Sequence, residues 1–75
     1  MAIKVKVVLG DLLAERGLSL NELSLKSDVR RAAISELVNG KRENINFEHI
    51  AKIAEALGTS DISKIITLIE TTDEH

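Results

Sequence analysis

Residues Ser19 to Gly40, SLNELSLKSDVRRAAISELVNG, constrain this chain more than any other stretch. Ser19 and Glu22 fit the capping box, a hydroxyl residue at the N-cap with a carboxylate three positions on. The helix they open carries Leu20, Leu23 and Leu25 and runs out near Ser27. Asp28 then falls in a turn, where Asp accepts positive φ better than other residues with a Cβ. A second helix is predicted from about Arg30 to Val38, with Ile34 and Leu37 facing inward and Asn39-Gly40 ending it. Two short helices joined so tightly need the remainder of the chain as a scaffold that fixes their angle.

That scaffold reads as helical on both sides. Ile3, Val5 and Val7 alternate with Lys4, Lys6 and Val8, so a short strand is expected first. From about Val8 the pattern turns helical, with Leu9, Leu12 and Leu13 on one side and Asp11, Glu15 and Arg16 on the other, until Gly17. Lys41 to Asn46 is a polar loop, and Asn46 is placed to cap a fourth helix. Its expected buried stripe is Phe47, Ile50, Ile53, Ala54 and Leu57, closed by Gly58. A fifth helix is expected from Ser60 or Asp61, carrying Ile62, Ile65, Ile66, Leu68 and Ile69. The expectation is a single all-α domain over residues 1–70, compact and five-helical with a short N-terminal β-strand. Residues 71–75 read as a frayed acidic tail.

Composition narrows the function. The 75 residues contain no Cys and two His, which excludes disulfides and thiolate metal sites and leaves little for an enzyme to work with. His49 stands alone without partners at ligand spacing, and Glu70, Asp73 and Glu74 read as a solvated end. No metal, cofactor or small-molecule ligand is implied, and no catalytic set or phosphate-cradling glycine loop is visible. The absence of a membrane-spanning apolar run or a secretory pattern gives a cytoplasmic expectation. Phe47 is the sole aromatic residue, which disfavours recognition of single strands by base stacking.

The net charge of −2 argues against nucleic acid until its distribution is considered. Residues 26–42 hold Lys26, Arg30, Arg31, Lys41 and Arg42 against Asp28 and Glu36, while the stretch from Glu70 to His75 holds Glu70, Asp73 and Glu74 and no Lys or Arg. The local field at a contact surface matters more to phosphates than the whole-chain sum. Arg30 and Arg31 also sit at a helix N-terminus, where the macrodipole disfavours cations by roughly 0.3–1 kcal/mol each. A placement that costs local stability points to a use, and two helices with a tight turn are the device that delivers a helix into the DNA major groove.

The segment resembles the helix-turn-helix of the phage-repressor family, the Cro and cI type also called XRE-like. The resemblance rests on Leu18-Ser19, Glu22-Leu23, Val29, Ile34-Ser35, Leu37 and, above all, Asn39-Gly40-Lys41-Arg42. Ile50-Ala51-Lys52-Ile53-Ala54 with Ala56-Leu57-Gly58 resembles the family's fourth helix, and coverage runs from about Leu9 to Leu68. Against the family pattern, Asp28 replaces a Gly, Leu20 a Gln that helps hold the DNA backbone, and Ser24 a small Ala. Arg30 stands where Ser or Thr usually caps the recognition helix, leaving Asp28 as a candidate cap. Leu13 and Val38 occupy the positions of a buried Arg–Glu pair, a double exchange that packed apolar groups tolerate.

The resemblance implies a five-helix domain, bacterial, phage or plasmid in setting, that regulates transcription as a dimer on a two-fold operator in double-stranded DNA. Carried over residue by residue, Arg31, Ala32, Ser35 and Glu36 match the positions that face base edges. Arg31 leads, because Arg bonds G O6 and N7 together; Ala32 suits a thymine methyl, and Glu36 either cytosine N4 or solvent. Lys26, Arg30, Asn39, Lys41 and Arg42 match positions near phosphates, which set register and affinity. A chain this short, without an effector domain, most simply represses. The expected homodimer uses the N-terminal strand, the C-terminal helix, or both. The rival reading keeps the fold as a protein-interaction module, antitoxin-like or anti-repressor, and draws on the acidic charge and the apolar Leu20.

Overall fold

The computed structural model describes residues 2–40 and 44–72. In chain order they form β1 (Ala2–Val7), α1 (Leu9–Arg16), α2 (Leu20–Ser27), α3 (Arg31–Val38), α4 (Phe47–Leu57), a single 3-10 turn (Ile62–Lys64) and β2 (Ile66–Thr71). The expected fifth helix is absent: its residues divide between the 3-10 turn and a strand. The physical reason is local. Asp61 caps one tight turn, and the following ITLIET is rich in β-branched residues that favour a pleated surface. It also meets a need that β1 creates, since a lone strand leaves its backbone groups unpaired. β1 and β2 pair antiparallel from Ala2↔Thr71 to Val7↔Ile66. β2 therefore extends through Thr71, one residue into the segment read as tail.

The helices begin and end where their side chains dictate. Ser19 and Glu22 close the capping box in both directions, at 2.9 and 3.1 Å. Asn46 Oδ1 accepts from the Glu48 and His49 N–H groups at the start of α4. Gly58 ends α4 at φ 69°, and the Thr59 N–H turns back to the Ala54 carbonyl.

The core is built from all four helices plus two residues outside them, Val29 and Ile65. Leu9, Leu23, Ile34, Ile53 and Ile65 are its most deeply buried large side chains, joined by Leu12, Leu13, Val29, Ala33, Leu37, Ile50 and Leu57. Phe47, expected in the buried stripe of α4, and Leu25 of α2 lie outside it. Leu25 is 85% exposed because it stands two positions from Leu23, about 200° round the helix. Phe47 is 83% exposed because it is the first residue of α4, beyond the reach of the facing helices.

Leu13 is buried and Val38 packs against the core, so apolar contact fills the sites of the family's ion pair. α1 and α3 approach closely there: a Cβ on Gly10 would stand 3.1 Å from Val38 Cγ1. The Arg16 guanidinium ties the end of α1 to α4 by donating to the Leu57 carbonyl. Of the ribbon formed by β1 and β2, Val7 and Ile66 at its base pack on the core. The ribbon's outer part stands away from the helices in a molecule 43 Å long and about half as wide.

Candidate nucleic-acid interface

The turn between α2 and α3 sets everything that α3 presents. Asp28 ends α2 in the left-handed conformation (φ 60°), and is the one residue with a Cβ to do so among those described. Two serines stitch the turn around it. Ser24 Oγ donates to the Val29 carbonyl at 2.7 Å. The buried Ser27 Oγ donates to the Leu23 carbonyl at 2.7 Å and accepts from the Val29 N–H at 3.3 Å. Val29 is thereby pinned into the core, and the chain must enter α3 at one angle. Sequence reasoning treated Ser24 only as a departure from Ala and Ser27 only as a helix end. Their signal was two hydroxyls flanking a non-glycine left-handed turn, which needs satisfied backbone groups.

α3 buries Ala33, Ile34 and Leu37 and half-buries Val38. At about 100° per residue, Arg31, Ser35, Ala32 and Glu36 cover an arc of roughly 140° on the opposite side. Arg31, Ala32 and Glu36 are exposed, and Ser35 is half-buried. The four candidate base-reading residues therefore share one outward surface. Ser35 is also engaged within the helix, since Asn39 Nδ2 donates to its Oγ at 3.3 Å. Asn39 ends α3, with Gly40 beyond it in the left-handed region.

The candidate phosphate-contacting residues divide. Lys26, in the last turn of α2, is exposed; so are Arg30, the N-cap of α3, and Asn39 at its far end. Lys41 and Arg42 lie outside the described residues. No side chain caps α3, so Asp28 terminates α2 and does not serve as the substitute cap. The first N–H groups of α3 thus receive no side-chain cap beside the exposed Arg30 and Arg31, an arrangement suited to an anion. Leu20 is half-buried and packs against the core, so its apolar side chain is used for packing.

The family model for the Cro/C1-type HTH DNA-binding domain matches residues 8–71. The chain belongs to that family of helix-turn-helix DNA-binding domains, which is non-enzymatic. No curated protein and no solved structure matches the chain significantly. No helix among the described residues is long and apolar enough to cross a membrane.

Proposed function

We propose that this chain is a sequence-specific repressor that binds double-stranded DNA as a homodimer, each α3 lying in one major groove of a two-fold operator. The observation that carries the reading is the outward face of α3, where Arg31 stands beside an uncapped helix start at an angle fixed by the Asp28 turn. Arg31 reads a guanine, Ala32 touches a thymine methyl, and Ser35 and Glu36 complete the base-facing surface. Lys26, Arg30 and Asn39, with Lys41 and Arg42 next in sequence, hold phosphates and set the register. One α3 spans only a few base pairs, so specificity needs two copies with recognition helices ~34 Å apart, one turn of DNA. Occupancy of a promoter by so small a domain blocks transcription, in the cytoplasm where such DNA lies. The rival interaction-module reading loses the support of Leu20, which faces the core.

Selection of binding sites from random DNA, followed by gel shifts at rising salt, tests this reading. The expected outcome is a two-fold site whose affinity falls steeply with salt. Arg31→Ala should weaken the selected site by about 1–3 kcal/mol and relax preference at one base pair in each half. Uniform weakening on selected and random DNA alike would make Arg31 a phosphate contact. Binding to no DNA at any salt would end the proposal.

A further inference from the structure

We propose that the outer edge of β1 is a docking site for an extended acidic segment of another protein. The segment adds as an antiparallel strand, with carboxylates opposite Lys4 and Lys6 and apolar residues opposite Ile3, Val5 and Val7.

The phase of the ladder shows which backbone groups the edge offers. The Val8 N–H donates to the Ile65 carbonyl at 2.7 Å, one step beyond Val7↔Ile66 in the same register. Hydrogen-bonded and non-hydrogen-bonded pairs alternate in an antiparallel ladder, so Lys6↔Thr67 and Lys4↔Ile69 are the bonded pairs. The N–H and C=O groups of Ile3 and Val5 therefore point away from β2, to a side where the described residues hold no third strand. An extended segment laid along that side meets two donors and two acceptors at strand spacing.

Charge chooses the occupant. Lys4 and Lys6 are exposed on one face of the ribbon, opposite Ile69 and Thr67, and among the described residues neither makes an ion pair. Residues set opposite them in an added strand stand on that same face, where opposite charges stabilise and like charges destabilise. A second copy of β1 does not fit: two-fold antiparallel pairing centred on Lys4, Val5 or Lys6 sets lysine opposite lysine. β2 of a second copy carries one carboxylate, Glu70, and leaves one of the lysines unmatched. Two carboxylates spaced two residues apart satisfy both.

The other face of the ribbon supplies apolar contact. Ile3, Val5 and Val7 share it with Ile66 and Leu68. Val5 and Leu68 are each 67% exposed, and with Ile62 and Ile66 they line a groove of about 370 Å³. An apolar residue opposite Val5 extends this row by one strand. Duplex DNA would neutralise the lysines, but it brings neither strand hydrogen bonds nor apolar side chains to the rest of the surface. An alternation of apolar and acidic residues fits all of it.

Fluorescence anisotropy of a labelled, end-capped peptide, TVEVEVT, with the intact chain and no DNA tests the site. TVEVEVT should bind, and more weakly as salt rises. TVKVKVT, with the charges reversed, and TVVEEVT, with the alternation broken, should bind at least ~10-fold less tightly. In a double variant, Lys4→Glu with Lys6→Glu, the preference should invert to TVKVKVT while helical circular dichroism stays unchanged. Strand addition has its own signature, because the valine N–H groups of the peptide face β1 and the glutamate N–H groups face away. N-methylation of the central valine should abolish binding, and N-methylation of a glutamate should spare it. Failure of the intact chain to bind TVEVEVT, equal affinity for TVKVKVT, or binding that survives methylation of the central valine would overturn the proposal. So would a double variant that loses DNA while its affinity for TVEVEVT is unchanged, which would assign the lysines to phosphates. Sedimentation in which TVEVEVT splits a dimer of the chain would give the edge to a second copy and overturn it equally.

Discussion

The turn between α2 and α3 is held by side-chain bonds between residues no more than five apart, whereas β1 and β2 join residues 59 to 69 apart. Ser24, Ser27 and Asp28 shape the turn from its own sequence, and Val29 then locks it into the core. The ribbon has no such local support. Its pairing joins the two ends of the chain, and none of its strand residues is fully buried. The difference teaches where local support lies: the candidate DNA-facing turn is braced by its own residues, whereas the ribbon depends on pairing between distant ones.

The sharpest way to break this comparison is to remove one isoleucine from each region. Ile34 is 0% exposed on the inner face of α3, and Ile3 is 52% exposed on the ribbon. Ile34→Ala should cost about 2–5 kcal/mol in urea unfolding, from lost burial and the cavity left behind. Ile3→Ala should stay within about 0.5 kcal/mol, as exposed positions usually do. Equal losses would mean that the ribbon is as deeply built into the fold as α3.

Within the turn itself, Ser27→Ala should cost about 1–3 kcal/mol, because it strands the Val29 N–H in a buried setting and also removes the bond to Leu23. Chemical denaturation with unchanged circular dichroism in the native baseline is the measurement. A loss below ~0.5 kcal/mol would show that the turn is held by packing of Val29 alone.

The same contrast in sequence separation explains what was legible beforehand. The capping box at Ser19, the Asn46 cap, the Asp28 turn and the inward Ile34 and Leu37 all depend on neighbours within one or two helical turns, and each stands where the sequence placed it. A helix was expected from Ser60 or Asp61 because Ile62, Ile65, Ile66 and Ile69 also fit helical spacing. Only pairing with β1 decides between the two periods, and that partner lies at the far end of the chain. Short apolar runs carry both patterns. For the candidate interface, the outward arc of α3 followed from spacing, but the serine stitches did not, since a hydroxyl bond across a turn leaves no periodic mark.

A smaller effect is expected at Asp28. Its left-handed φ of 60° costs a residue with a Cβ something that Gly avoids. Asp28→Gly should therefore raise stability by up to ~1 kcal/mol, offset in part by the greater freedom of Gly in the unfolded chain. Thermal unfolding of the two forms side by side is sufficient. A loss would assign Asp28 a stabilising contact beyond its conformation.

The smallest effect concerns the joint between the regions, where Asp61 opens the 3-10 turn that leads into β2. Its Oδ1 accepts from the Ser63 hydroxyl at 2.7 Å and from the Ser63 N–H at 3.0 Å. These two bonds, with the nearby Lys64 charge, hold the carboxyl below its ordinary value. A carboxylate with a lowered folded pKa stabilises the fold above its unfolded value of about 3.9, and that contribution is lost as pH falls through the folded value. The group is fully exposed, so the effect is slight and screened by salt. Asp61→Asn should be marginally less stable than the unmodified chain at neutral pH, and the gap should close as pH drops below about 4. Hydrogen exchange gives the regional readout: the change should appear in the amides of Ile65 and of β2 before those of α2 and α3. A gap that persists unchanged in acid would place the role of Asp61 in its hydrogen bonds alone. Exchange that quickens equally in α3 would join the ribbon and the helix-turn-helix into one cooperative unit.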